Sequence, residues 1–278
     1  MPWLCSTGAG GCYDPAPGPS DRDFPWWLLA VLGLGAYALW QVLTDAVYLQ
    51  VLDTLRRGVL ITIFVTLVGF ALAASLGLLL ALASLSRHLI LRQMARFYIE
   101  IIRGIPIIVL LLYVAFVFAP ALVAGYNGLA EMAGVEAIRT RDFPLLWRAI
   151  IALAIGYSAF IAEVFRAGLQ SIDRGQIEAA EALGLNRWNR FRHIIFPQAI
   201  RTILPPLGND FVAMVKDSSL VSVLGVLDIT QLGKVTAASN FRYFETYNVV
   251  ALIYLTMTIT LSILLRRLEQ RMRQSQDR

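Results

Sequence analysis

Residues 58–86 read GVLITIFVTLVGFALAASLGLLLALASLS, and no charged side chain interrupts them between Gly58 and Ser86. A helix crosses the hydrocarbon core of a bilayer with about 20 apolar residues, and this stretch exceeds that length. Along it Gly69, Ala73, Gly77 and Ala81 recur every four residues. At helical spacing these small residues share one face, along which a second helix can approach closely. The stretch predicts a transmembrane helix packed against another.

Further apolar runs flank it on both sides. The first is Trp26 to Leu43, with Trp26, Trp27 and Trp40 near its ends as interfacial anchors. The others are Phe97 to Ala119, Leu145 to Gly168, Gln198 to Lys216 and Thr246 to Leu265. Pro106 is expected to kink or reset the first turns of its run, and Pro205 and Pro206 to interrupt theirs. The apolar stretch from Ser218 to Leu227 is too short to cross and predicts a partly inserted helix at the outer face. The chain of 278 residues is 58% hydrophobic and 15% charged, against about 25% charged for a soluble domain. The expected fold is an all-α integral membrane protein with six spans.

Arginine placement predicts the orientation. All but two of the basic residues are Arg, the exceptions being Lys216 and Lys234. Arg87, Arg92 and Arg96 fill one connection, and Arg174, Arg187, Arg190, Arg192 and Arg201 fill another. Arg266, Arg267, Arg271, Arg273 and Arg278 fill the C-terminal tail. The positive-inside rule makes these three regions cytoplasmic. The connections between them mix acids and bases, so both termini are expected inside. Residues 1–25 are rich in Gly, Pro and Asp and lack a basic n-region, which predicts a disordered tail rather than a signal peptide.

Several chemistries are excluded or unsupported. A phosphate-binding loop needs Gly-x4-Gly-Lys-Ser/Thr, and neither Lys216 nor Lys234 stands in that context. The Gly156–Phe160 stretch lacks the second Gly of a nucleophile elbow. His88 and His193 are far apart, and Cys5 and Cys12 form no CxxC pair, so no metal site is expected. The net charge of +5 reflects orientation and contact with anionic lipid, not nucleic acid.

The stretch from Glu178 to Pro197 is the most informative one outside the spans. Glu178 to Leu183 favours helix, Ala179, Ala180 and Ala182 make a smooth face, and Gly184 stands as a helix-ending residue. Leu185, Trp188 and Phe191 then lie among Arg187, Arg190 and Arg192. Two explanations fit this pattern: a surface for a partner protein, or an amphipathic helix on the lipid interface.

The spacing Glu178-Ala179-Ala180, Gly184, Ile194 and Pro197 resembles the Glu-Ala-Ala-x3-Gly-x9-Ile-x-Leu-Pro hallmark of permease subunits of bacterial ATP-binding-cassette importers. Phe196 replaces the Leu. Arg103–Pro106, Tyr157–Arg166, Leu204–Phe211 and Lys216–Gly225 are similar to the polar-amino-acid uptake branch, with Ile105 where Thr is common. The resemblance extends over about 58–273. It implies a type I importer permease fold in the bacterial inner membrane. A second permease subunit, the same or related, and two ATPase subunits would complete the transporter. ATP and Mg would be bound by the ATPases, with no cofactor in this chain, and an external binding protein would deliver a polar amino acid. The coupling helix would be about Gln176 to Leu185, with Glu178, Ala179, Ala180, Gly184, Leu185 and Pro197 as its coupling residues. The implied organisation is a tail at 1–25, an extra span and connection at 26–57, a permease core at 58–266 containing the coupling loop 169–197, and a cytoplasmic tail at 267–278. A passive channel without ATPase coupling is the alternative.

Charge inside spans marks function by default. Arg103, Asn209 and Asp210 are candidates to line a polar path, with mutual neutralisation of Arg103 and Asp210 as the structural alternative. Glu163, Arg166, Lys216 and Asp217 are structural or gating candidates, and Glu163 and Arg166, one helical turn apart, can pair on one helix face. Lys216 and Asp217 are expected at a helix end, with Asp217 or Ser218 capping the helix that follows.

Overall fold

The computed structural model describes Leu29, Gly33, 35–37, 40–42 and 44–274, with side chains as far as Gln270. The expected tail at 1–25, with Cys5 and Cys12, lies outside the described residues, as does most of the first predicted span. The described positions of that span are helical.

In chain order the helices are α1 (Ala46–Ser84), α2 (Leu89–Gly104), α3 (Ile107–Ala133), α4 (Leu145–Gln170), α5 (Arg174–Ala182), α6 (Arg187–Arg190), α7 (Phe196–Asp217), α8 (Ile229–Asn240) and α9 (Tyr243–Gln274). α1, α3, α4 and Tyr243–Gln270 of α9 are long and apolar enough to cross a membrane. α7, at 22 residues, reaches about 33 Å and has the length to cross. It carries Arg201, Asp210, Lys216 and Asp217, which lower its hydropathy.

α1 starts where Asp45 accepts a hydrogen bond from the Val47 N–H at 2.8 Å. Residues 46–57, expected as a connection, are its first turns, since neither Gly nor Pro falls between Asp45 and Gly58. The small-residue stripe is buried as predicted, and its partner is α4. A methyl group on Gly77 would stand 2.9 Å from Ile161 Cγ2 and 3.0 Å from the Ser158 carbonyl oxygen. Glycine makes that close approach possible without displacing a neighbour. α4 is the central helix, packed against α1, α2, α3 and α7.

The run expected from Phe97 to Ala119 is two helices. α2 ends at Gly104, Ile105 is extended (φ −95°, ψ 129°), and α3 begins after Pro106. The pyrrolidine ring pushes the residue before it out of the helical region, so Pro106 breaks the helix outright. Pro205 and Pro206 act in the opposite way, and α7 runs through both. The carbonyls of Arg201 and Thr202 lose their donors there, at residues that retain solvent access.

Two other prolines are absorbed differently. Ala119 donates to the Val114 carbonyl and Phe196 to the Phe191 carbonyl, five residues back, closing π turns over Val114–Phe118 and Phe191–Ile195. Pro120 and Pro197 follow immediately. Each lacks the N–H that an α turn would demand, and the widened turn accommodates the gap.

Beyond α7 the apolar stretch forms a 3-10 turn, Ser218–Leu224, which ends at Gly225 with φ +81°. Neither Asp217 nor Ser218 caps it, because Ser218 bonds back to the Val215 carbonyl at 2.7 Å. The cap lies further on. Asp228 accepts from the N–H groups of Thr230 at 3.1 Å and Gln231 at 2.8 Å, opening α8. Arg148, unremarked in the sequence, is buried and donates to the carbonyls of Phe143, Ala115 and Thr140.

Candidate functional site

Two features of the molecule gather the candidate residues. The first is the arm formed by α5 and α6. Asp173 caps α5 by accepting from the Gly175 N–H. One face of the helix packs inward, with Ala180 buried and Ile177 set against Ile172, Ala199 and Ile203. The opposite face leaves Glu178, Ala179, Ala182, Leu183 and Gly184 exposed, Leu183 to 81%.

The helix ends as its sequence predicts. Gly184 adopts φ +75°, the Gly184 N–H bonds to the Glu181 carbonyl, and the Leu185 N–H bonds to the Ala180 carbonyl. This paired closure is a Schellman motif, whose left-handed residue favours glycine. Asn186 then caps α6 by accepting from the Asn189 N–H at 2.8 Å. Trp188, Phe191 and Phe196 form an exposed aromatic row beyond it, with ring centroids 6.2 Å and 5.9 Å apart. Pro197 begins α7.

One polar tie holds the arm to the body and another joins its two helices. Gln198 Nε2 donates to Gln176 Oε1 at 2.6 Å, and Arg190 pairs with Glu181. Arg190 was read from the sequence only as one of the cytoplasmic arginines, and its pairing with Glu181 was not foreseen, because it crosses a turn that the motif does not describe.

The second feature is a cavity of about 250 Å³ between the α2–α3 break, α4 and α7. Ile105, Ile107, Tyr157 and Phe160 line it, with Asp210 and Asp217 as its charged members. The Tyr157 hydroxyl donates to Asp217 Oδ2 at 2.8 Å. Asp210 Oδ2 is buried and has no hydrogen-bond partner. The two carboxylates stand seven residues apart, so two helical turns set them on one face.

The other pathway candidates lie elsewhere. Arg103 is exposed and rests over the Phe160 ring at 5.8 Å, beside the cavity and not paired with Asp210. Asn209 is exposed and does not line the cavity. Lys216 is exposed, while its neighbour Asp217 faces inward. Glu163 and Arg166 pair as expected, Nε donating to Oε2 at 3.0 Å, and Arg166 also reaches Gln170 at 2.8 Å. That pair ties the end of α4 to itself and stands apart from the cavity.

A broken-helix cavity holding carboxylates and a helical arm at one end define a membrane transport component, and comparison with known proteins agrees. Residues 73–274 match the family described as binding-protein-dependent transport system inner membrane component. The glutamine transport system permease protein GlnP of Escherichia coli K12 is 38% identical over 219 residues, covering 79% of this chain and 93% of that protein. The probable amino-acid permease protein YxeN of Bacillus subtilis is 37% identical over 211 residues, covering 76% and 88%. The crystal structure of an amino acid ABC transporter with histidines is 38% identical with a TM-score of 0.65, covering 79% of this chain and 94% of that one. The chain belongs to the binding-protein-dependent transport system inner membrane components. It is a multi-pass inner-membrane permease subunit of an ATP-driven importer and not itself an enzyme, and nothing favours a passive channel. It works in a system with a separate ATPase and a binding protein.

Proposed function

We propose that α5 is the surface on which the partner ATPase docks, and that the carboxylate cavity lies on the path of a polar amino acid. The observation that carries the docking assignment is the α5 arm itself. It is a short helix, fixed to the body on one side, that presents Glu178, Ala179, Ala182 and Leu183 to solvent on the other. Small side chains flanked by one acid and one large apolar residue suit a close protein contact. Gly184 and Leu185 hold its end, Ala180 seats it on the body, and Pro197 marks where the return helix enters the membrane.

The arginines of 85–96 and 169–201 support a cytoplasmic position for this end, where ATP is available, with both termini on the same side. ATP and Mg are bound by the partner. Two permease subunits, the same or related, carry one ATPase each, and an external binding protein delivers the substrate. The permease core is 58–266, with 169–197 as its coupling loop. ATPase closure pulls on α5, and packed helices shift to alternate access to the cavity.

Amino-acid cargo suits the cavity. Every amino acid carries an ammonium group, and the unpartnered Asp210 Oδ2 is an acceptor for it, with the Asp217 carboxylate in the same cavity. The relatives named for glutamine and amino-acid transport support this cargo. Arg103 flanks the entrance through Phe160, where it can meet a carboxylate.

The test is co-purification of the chain with its ATPase, together with uptake in proteoliposomes. Glu178→Arg and Gly184→Asp are expected to release the ATPase or abolish uptake while the chain stays in the membrane. ATPase-driven uptake at the wild-type rate by both variants would refute the docking assignment.

A further inference from the structure

The two glutamates of Glu178-Ala-Ala-Glu181 are three residues apart, yet they occupy different surroundings. Glu178 is exposed and makes no ion pair among the described residues. Glu181 pairs with Arg190, whose side chain is only 16% exposed while that of Glu181 is 57% exposed. The remaining ion pairs among the described residues are local: Asp53–Arg56 and Glu163–Arg166 are each one turn apart on one helix, and Arg141–Asp142 are neighbours. Among the described residues, Glu181–Arg190 alone joins two helices.

Its place in the chain gives this pair a consequence. α5 has nine residues, fewer than the roughly 12–15 that sustain an isolated helix, so external ties set its direction. Its inward face offers only Ile177 and Ala180, a narrow apolar seat on which a short helix can rock. The Gln176–Gln198 hydrogen bond fixes the N-terminal turn to α7, and Glu181–Arg190 fixes the C-terminal turn to α6. The two ties bracket Glu178, Ala179 and Ala182. From Arg190 the chain continues through the π turn into α7, which carries Asp210 and Asp217.

We infer that the Glu181–Arg190 ion pair is a positioning strut that transmits displacement of α5 into α7, while Glu178 is the acid left free for the partner. This rests on the docking of the ATPase at α5. Because Glu181 is more than half exposed, water screens the pair and it adds little to folding stability. Its loss therefore leaves the chain folded and the docking face intact but slackens the link behind that face.

The test uses the complete transporter in proteoliposomes, with ATP hydrolysis and uptake measured on the same vesicles. Glu181→Gln and Arg190→Gln are expected to retain the ATPase subunits and ATP hydrolysis. The ratio of uptake to hydrolysis should fall by about two- to fivefold, the range an ion pair of this exposure supports. Glu181→Arg combined with Arg190→Glu should restore the ratio above either single exchange. A purely structural role predicts equal loss of uptake, hydrolysis and assembly, and no gain from the exchange. Wild-type ratios in both single variants, or a double exchange no better than the singles, overturn the strut. Glu178→Arg is run in parallel. If it detaches the ATPase while the Glu181 variants stay coupled, only the strut falls; if it leaves binding and uptake unchanged, the docking assignment falls and takes the strut with it.

Discussion

Three glycines on one face of α1 face three different neighbourhoods, and alanine at each has a distinct expected outcome. At Gly58 a Cβ would stand 2.6 Å from the Ile229 nitrogen and 2.8 Å from the Asp228 carbonyl carbon, both backbone atoms. To reach the 3.4 Å of ordinary contact, the first turn of α8 would have to retreat. That turn is held by the Asp228 cap and by Tyr254, whose hydroxyl donates to Asp228 Oδ2 at 3.1 Å. At Gly69 the nearest atom is Met214 Sδ at 3.7 Å, so the methyl fits. Gly77 is intermediate, with Ile161 Cγ2 and the Ser158 oxygen near 3 Å. Overpacking costs about 1–3 kcal/mol, and replacing Gly by Ala in a helix gains about 1 kcal/mol. Gly58→Ala should therefore lose up to about 2 kcal/mol and Gly69→Ala should be neutral or gain up to about 1 kcal/mol. Gly77→Ala should fall between them. Thermal unfolding midpoints of the purified chain in one detergent test the order. A Gly58→Ala midpoint at or above that of Gly69→Ala would refute the claim that α1 and the α8 cap meet backbone to backbone.

At Gly184 a Cβ meets nothing within 4 Å, so only its φ of +75° penalises substitution. Gly184→Asn should bind the ATPase better than Gly184→Ala, because Asn enters the left-handed region more readily, and quantitative co-purification measures the difference. Asp210→Asn should lower amino-acid uptake by roughly tenfold or more through loss of a charge-assisted bond, whereas Asn209→Ala, outside the cavity, should stay within about twofold. Initial rates across an amino-acid panel test both. A cysteine at Ser86 should react with an impermeant thiol reagent only after the cytoplasmic side is opened, and reaction from the outer side of intact cells contradicts the orientation.

What was legible in the sequence was local or periodic. The stripe of Gly69, Ala73, Gly77 and Ala81, the terminating Gly184 and the Glu163–Arg166 pair each follow from spacings within a turn or two. The start of α1 was equally local, since no breaker follows Asp45 until Gly58, but mixed charge made residues 46–57 look like a connection. Prolines were ambiguous because their effect depends on what surrounds them. Pro106 ends a helix, Pro205 and Pro206 do not, and Pro120 and Pro197 follow a widened turn. The cavity was only half visible. Asp210 is a charge within a span, but Asp217 joins it only because Tyr157, 60 residues earlier, supplies its hydrogen bond. Arg103 stacks on Phe160 of another helix rather than pairing with Asp210. Such partners are chosen by packing between helices, which spacing along one helix does not encode.

The π turn before Pro197 ties the length of the segment to the direction of the arm. An α-helix advances about 100° per residue, and a π turn takes up one residue more per turn. The number of residues between Gly184 and Pro197 therefore sets the azimuth at which the arm leaves α7, as a count of teeth sets the phase of a gear. Losing or gaining one residue in 191–195 would swing the arm by about a quarter of a circle and turn its face away from any fixed partner. Exchanging one large apolar residue for another, as Phe196 does, leaves the phase unchanged.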